Sequence, residues 1–184
     1  CHSHDSWHCK LGDTMSTLKV DTIANTAGVT NQRVLQVVST TKTDTFSKSG
    51  QTFGDVTGLS VSITPSSSSS KILVFGTINC SGVGDFTYVK LMRDSTALAI
   101  GDAASNRLRV TASTGSGAAT YFIYALSMSH LDAPSSTSAL TYKWQIRSGS
   151  GANISYVNRS VNDRDTAHYE PRAASNITVM EIAG

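Results

Sequence analysis

An all-β fold, an antiparallel β-sandwich, is predicted by three observations on the 184 residues. Short segments alternate apolar and polar side chains with a period of two, loops rich in Ser, Gly and Pro separate them, and no segment carries a helical stripe longer than two turns. The stretch Leu59–Phe75, LSVSITPSSSSSKILVF, shows the first two together. Leu59, Val61 and Ile63 alternate with Ser60, Ser62 and Thr64, the pattern of a strand with one buried and one wetted face. Pro65 and five serines break the alternation, and Ile72, Leu73, Val74 and Phe75 resume as a continuous apolar run suited to a central strand.

The other elements follow in order. Residues 15–33, MSTLKVDTIANTAGVTNQR, hold spaced apolar residues (Leu18, Val20, Ile23, Val29) without a sustained period and read as an extended arm, which stays ordered only by docking on something else. Strands are expected at 34–39, 59–63 and 72–79; Gly82 and Gly84 mark a turn, and FTYVKLM at 86–92 places Tyr88 and Lys90 opposite Val89 and Leu91. Shorter strands are expected at 97–100 and 107–110, followed by the Gly- and Ser-rich connection TASTGSGAAT. YFIYALSMSH at 121–130 is apolar on both faces, the mark of a central strand. LTYKWQIRS at 140–148 directs Leu140, Tyr142, Trp144 and Ile146 inward, and 154–157 and 177–182 complete about ten strands at sandwich spacing. The expected organisation is a His- and Cys-rich leader at 1–14, the arm at 15–33 and one sandwich domain at 34–184.

Charged residues make up only 15% of the chain, whereas 28 Ser and 22 Thr supply more than a quarter, so hydroxyls rather than ions wet the surface. A formal net charge of +2, with Lys and Arg scattered singly, argues against a nucleic-acid partner. No apolar run approaches the roughly 20 residues that span a bilayer as a helix, so membrane insertion is not expected. The chain begins at Cys1; the expectation is either that a segment ahead of it is removed or that 1–14 stems from outside the native gene, with Met15 a plausible start.

The segment CHSHDSWHC gathers Cys1, His2, His4, His8 and Cys9, ligand types that suit Zn²⁺ or Cu²⁺, although the spacing fits no finger pattern and no second ligand pair follows. Cys1 and Cys9 could also close a small loop in an oxidising setting, and Cys80 reads as a small buried residue. No catalytic residue and no cofactor are expected. Outside the leader the histidines are His130, at a strand end, and His168, in the loop NDRDTAHYEPR. In that loop Asp163, Asp165 and Glu170 are able to gather a cation such as Ca²⁺, but Arg164 and Arg172 interleave as counter-charges, and a solvated or intersubunit contact is the better reading. Hydrolysis of a polysaccharide would need paired carboxylates, and Glu170 and Glu181 are the only glutamates. Sequons at Asn79, Asn153, Asn158 and Asn176 are what chance produces in so hydroxyl-rich a chain. Tyr156, Asn158, Arg159 and Tyr169 form a candidate surface-binding set, because sugar sites combine ring faces with planar polar groups.

Three segments, STLKVDTIANTAGVT at 16–30, LSVSITPSSSSSKILVF at 59–75 and NRSVNDRDTAHYEPRAASNITVMEIAG at 158–184, resemble a family of small virion structural and tail-fibre-like proteins of tailed bacteriophages, especially those of marine cyanobacteria. The likeness runs from Met15 to Gly184 and leaves the leader without a counterpart. It implies a jelly roll like that of C1q and tumour necrosis factor, a homotrimer, attachment to other virion proteins through the arm, a place on the surface of the particle, and contact with a host glycan. The alternative expectation is a secreted lectin-like module that stacks sugars on Tyr156 and Tyr169.

Overall fold

The computed structural model describes residues 33–84, 86–115 and 120–184, which belong to one compact unit, Gln32–Gly184. The expected leader, including the metal candidates Cys1, His2, His4, His8 and Cys9, lies outside the described residues, as does the expected arm apart from Arg33. Eleven strands and no helix make up the regular structure of the described residues. They form two antiparallel sheets whose apolar faces meet, so the chain is an all-β sandwich.

The first sheet is organised by β4 (Lys71–Gly82), a strand of 12 residues that grows from the apolar run after the serine loop. On one side it pairs with β8 (Tyr124–Asp132) from Ile72 to Cys80. On the other it pairs first with β11 (Ser175–Ile182) and then with β10 (Ile154–Val157), so two short strands share one lane. The next lane is shared in the same way: β1 (Val34–Lys42) pairs with β11, and β2 (Phe46–Ser49) with β10. The second sheet runs β3 (Gly54–Ile63), β9 (Leu140–Ser148), β5 (Thr87–Arg93), with β6 (Thr96–Leu98) and β7 (Ala112–Ser113) both on the far side of β5. Each sheet therefore has four lanes, and successive lanes mostly alternate between sheets, with β5–β6 a hairpin within one.

Period-two patterning fixes which side chains meet. Ile72, Val74 and Ile78 of β4, Val157 of β10 and Ile177 and Val179 of β11 face Leu59, Val61 and Ile63 of β3, Val89 and Leu91 of β5, and Tyr142, Trp144 and Ile146 of β9. Trp144 and Tyr142 are the largest fully buried side chains, and both find partners for their polar atoms, as buried aromatics require. Trp144 Nε1 donates to the Asn176 carbonyl at 3.3 Å, and the Tyr142 hydroxyl donates to Asp132 Oδ2 at 2.7 Å. Arg93 Nη1 closes on both oxygens of the same carboxylate at 2.7 and 2.6 Å.

Two expectations are corrected, and one strand was not expected. Residues 121–130 are not a central strand among the described residues: there β8 starts at Tyr124, pairs with β4 alone and alternates between half-buried and exposed side chains. Its outward positions, Ala125, Ser127, Ser129 and Leu131, belong to the outer face of the sheet, treated below. Residues 107–110 form no strand; the Val110 carbonyl instead accepts a bond from Gly101 N, and the short β7 follows it. The strand β2, FSKS, escapes the pattern because it has a single apolar residue and is held by pairing with β10.

Candidate functional site

Side chains opposite one another in antiparallel lanes share a face, so the register shows what the first sheet presents to its surroundings. One row across the outer face is Val37, Met180, Leu73 and Leu131, one residue from each of β1, β11, β4 and β8. The next row is Ser39, Thr178, Phe75 and Ser129, and the third is Thr41, Asn176, Thr77 and Ser127. None of these side chains is charged. Val37 is 54% exposed and Leu131 51%, and Val34 and Leu35 are exposed at the same end of β1. Moving away from that row the surface turns from apolar to hydroxyl-bearing, with Ser39 and Thr178 hydroxyls 2.8 Å apart and those of Thr77 and Ser127 2.7 Å apart.

Beneath the apolar end lies Glu181, fully buried on the inner side of β11. Burial by itself would raise its pKa. Gln36 Nε2 at 2.6 Å and the Ser66 amide and hydroxyl, both at 2.7 Å, outweigh burial and hold the carboxyl down to about 2. The serine loop between β3 and β4 thus caps a buried carboxylate.

At the far end of the first sheet the chain turns through Asn158, directly after β10. Asn158 is buried and adopts φ of 61°, a left-handed conformation that asparagine tolerates better than most residues. Its Nδ2 donates to the carbonyls of Lys42 at 2.8 Å and Asp44 at 2.9 Å, and its Oδ1 accepts from Ser175 Oγ at 2.6 Å. Its backbone N–H and carbonyl bond Asn79 and Ala173. Asn158 is therefore a structural junction and is removed from the surface-binding set. Arg159 is largely committed as well: its guanidinium lies 4.3 Å from the Tyr156 ring centre and donates to the Ser160 and Val161 carbonyls. Tyr169 stands apart from that pair and is 63% exposed.

The loop of residues 160–173 is internally paired. Arg164 donates to Glu170 through its backbone amide and its guanidinium, and together they outweigh burial and keep the Glu170 carboxyl below its ordinary range. Arg172 bonds Asp163 at 2.8 Å, and Arg159 approaches the same carboxylate at 3.5 Å. Two of the three acids weighed as cation ligands, Asp163 and Glu170, are thus met by arginines, and no group of three or more His, Cys, Asp or Glu is placed to hold a metal ion among the described residues. His130 lies on β8 opposite Val74, and His168 on the loop beside Tyr169. Cys80 is buried on β4, and burial pushes its thiol up to about 12, which leaves it in the unreactive protonated form.

No protein-family model matches the chain, and no curated protein does. Among solved structures the chain is similar to one in the structure of infectious bursal disease virus, Gx strain, at 14% identity and a TM-score of 0.39. The likeness covers 94% of this chain and 46% of the viral one, so this chain spans less than half of that neighbour's length.

Proposed function

We propose that the protein is a non-enzymatic structural subunit of a bacteriophage particle, a fibre, spike or decoration protein at the particle surface that works as a homotrimer. The observation that carries the reading is the patch of three uncharged rows on the outer face of the first sheet, above all the row Val37, Met180, Leu73 and Leu131. A contiguous apolar strip of this kind is costly in water and marks a surface made to be covered. A second copy is the occupant that requires no further assumption, because the face is present on every chain, and threefold closure buries three such faces at once.

The lane order β1–β11–β4–β8 against β3–β9–β5–β6 supports reading the sandwich as a jelly roll, in keeping with the resemblance of residues 16–30, 59–75 and 158–184 to phage virion proteins. On this reading the arm at 15–33 attaches the trimer to other virion proteins. Light scattering on the full chain tests assembly: the expected mass is three times the 19.4 kDa of one chain, and Leu73→Glu is expected to reduce it to that of a monomer. A wild-type monomer at micromolar concentration would overturn the proposal.

A further inference from the structure

A second exposed apolar feature lies at the opposite end of the first sheet and has a different chemistry. Tyr121 and Phe122, just before β8, and Tyr169, in the loop of residues 160–173, are 44%, 49% and 63% exposed. Their rings form one array. The Tyr121 and Phe122 ring centres are 4.9 Å apart, Tyr121 and Tyr169 are 6.5 Å apart, and the array continues to Tyr124 at one end and His168 at the other. Cys80, which pairs with Tyr124, is seven residues along β4 from Leu73, so the start of β8, where the array begins, lies about 23 Å from the apolar row at strand rise.

Two separate loops supply these rings, and hydrogen bonds fix one loop on the other. Val161 N and Asn162 N donate to the Thr120 carbonyl at 3.0 and 3.2 Å, and Asn162 Nδ2 donates to Thr120 Oγ1 at 2.6 Å. The ion pairs Arg164–Glu170 and Arg172–Asp163 tie the second loop to itself. The rings are thus held in place before any ligand arrives, which lowers the ordering cost of binding.

Polar surface adjoins the rings. A recess of about 200 Å³ lined by Thr166, Ala167, His168, Tyr169 and Pro171 shares Thr166 with a second of about 220 Å³, where Asp163, Arg164, Asp165, Glu170 and Arg172 meet. Two arginines there are paired with two of its three acids, and Arg159, 3.5 Å from Asp163, brings a third, so neither sign of charge dominates. Exposed ring faces favour a ligand with a flat apolar side, the paired donors and acceptors favour one with many hydroxyls, and the balanced charge favours a neutral one. We propose that Tyr121, Phe122 and Tyr169 form a stacking platform for a neutral saccharide, with the polar recess at Thr166 taking hydroxyls of the same chain of sugars. This does not depend on assembly through the first sheet.

The test is saturation-transfer NMR on the full-length protein with neutral hexasaccharides of glucose, galactose and mannose, and with a sialylated and a sulfated oligosaccharide as charged counterparts. At least one neutral hexasaccharide is expected to bind saturably, with transfer to its ring protons. Tyr169→Ala and Tyr121→Ala are expected to weaken that binding by about tenfold or more while leaving circular dichroism unchanged, and Tyr88→Ala, on the other sheet, is expected to leave it as it is. Absence of neutral binding, binding of charged sugars alone, or affinity unchanged in Tyr169→Ala would each overturn the proposal. So would a change of solution mass in Tyr169→Ala with sugar binding intact, since the rings would then belong to a protein interface.

Discussion

Glu181 shows how one residue ties a loop of low chemical content to the stability of the sheet. A carboxylate on the inner side of a strand is destabilising unless hydrogen bonds replace its water, and Gln36 and Ser66 supply them from two other segments. Its folded pKa of about 2 lies below its ordinary 4.5, so the charged form contributes stability that is present above about pH 4.5 and lost as pH falls towards 2. Thermal unfolding followed between pH 5 and pH 2 is expected to show wild-type protein losing on the order of 1–2 kcal/mol through this group, after allowance for solvent screening. Glu181→Gln, which does not titrate, is expected to start less stable and to show a shallower slope in that window. Equal slopes for the two proteins would show that the carboxylate is not coupled to folding. Asn158 makes the same point without charge: a polar residue at a left-handed turn serves three backbone segments and is buried away from any surface ligand.

Among the elements, β4 carries the most, since β8, β10 and β11 all pair with it. Its inward positions include Gly76, where an added Cβ would meet the Asn176 carbonyl oxygen and lie 3.0 Å from the Ile177 Cα. Both are backbone of the adjacent lane, which side-chain rotation cannot relieve. Gly76→Ala is expected to cost about 1–3 kcal/mol in chemical denaturation, whereas Gly101→Ala, with nothing within 4 Å of the added carbon, is expected to change stability little. Similar midpoints for the two variants would mean that β11 shifts at no cost. Strands with a strict alternation, such as β9 and the second half of β3, were legible in the sequence because one face meets a core and the other meets water. The inner and outer faces of β4 and β8 were not separable in that way. Leu73, Phe75 and Leu131 are apolar yet point outward, so period-two reading assigns them to a core they do not enter. The aromatic array was half legible: Tyr169 stood out in its loop, whereas Tyr121 and Phe122 were absorbed into an apolar run and only the loop-to-loop bonds at Thr120 place them beside it.

For the whole molecule, the two features on the first sheet divide its length into an end that is apolar and an end that carries rings and paired charges. An assembly that covers the row at Val37 and Leu73 leaves the rings outward, as a subunit that holds together at one place and meets its surroundings at another requires. If the folded state is a trimer, unfolding releases three chains, and stability depends on protein concentration. A tenfold rise in concentration is then worth about 0.9 kcal/mol per chain, or about 2–4 °C in midpoint for a domain of this size. Scanning calorimetry over two decades of concentration is expected to show that rise for wild type and to lose it for Leu73→Glu, whose charge lands in the apolar row. A ring variant such as Tyr169→Ala is expected to keep the full concentration dependence, because it lies at the other end. A midpoint independent of concentration in wild type would place the cover over the apolar face within the chain itself rather than in a second copy.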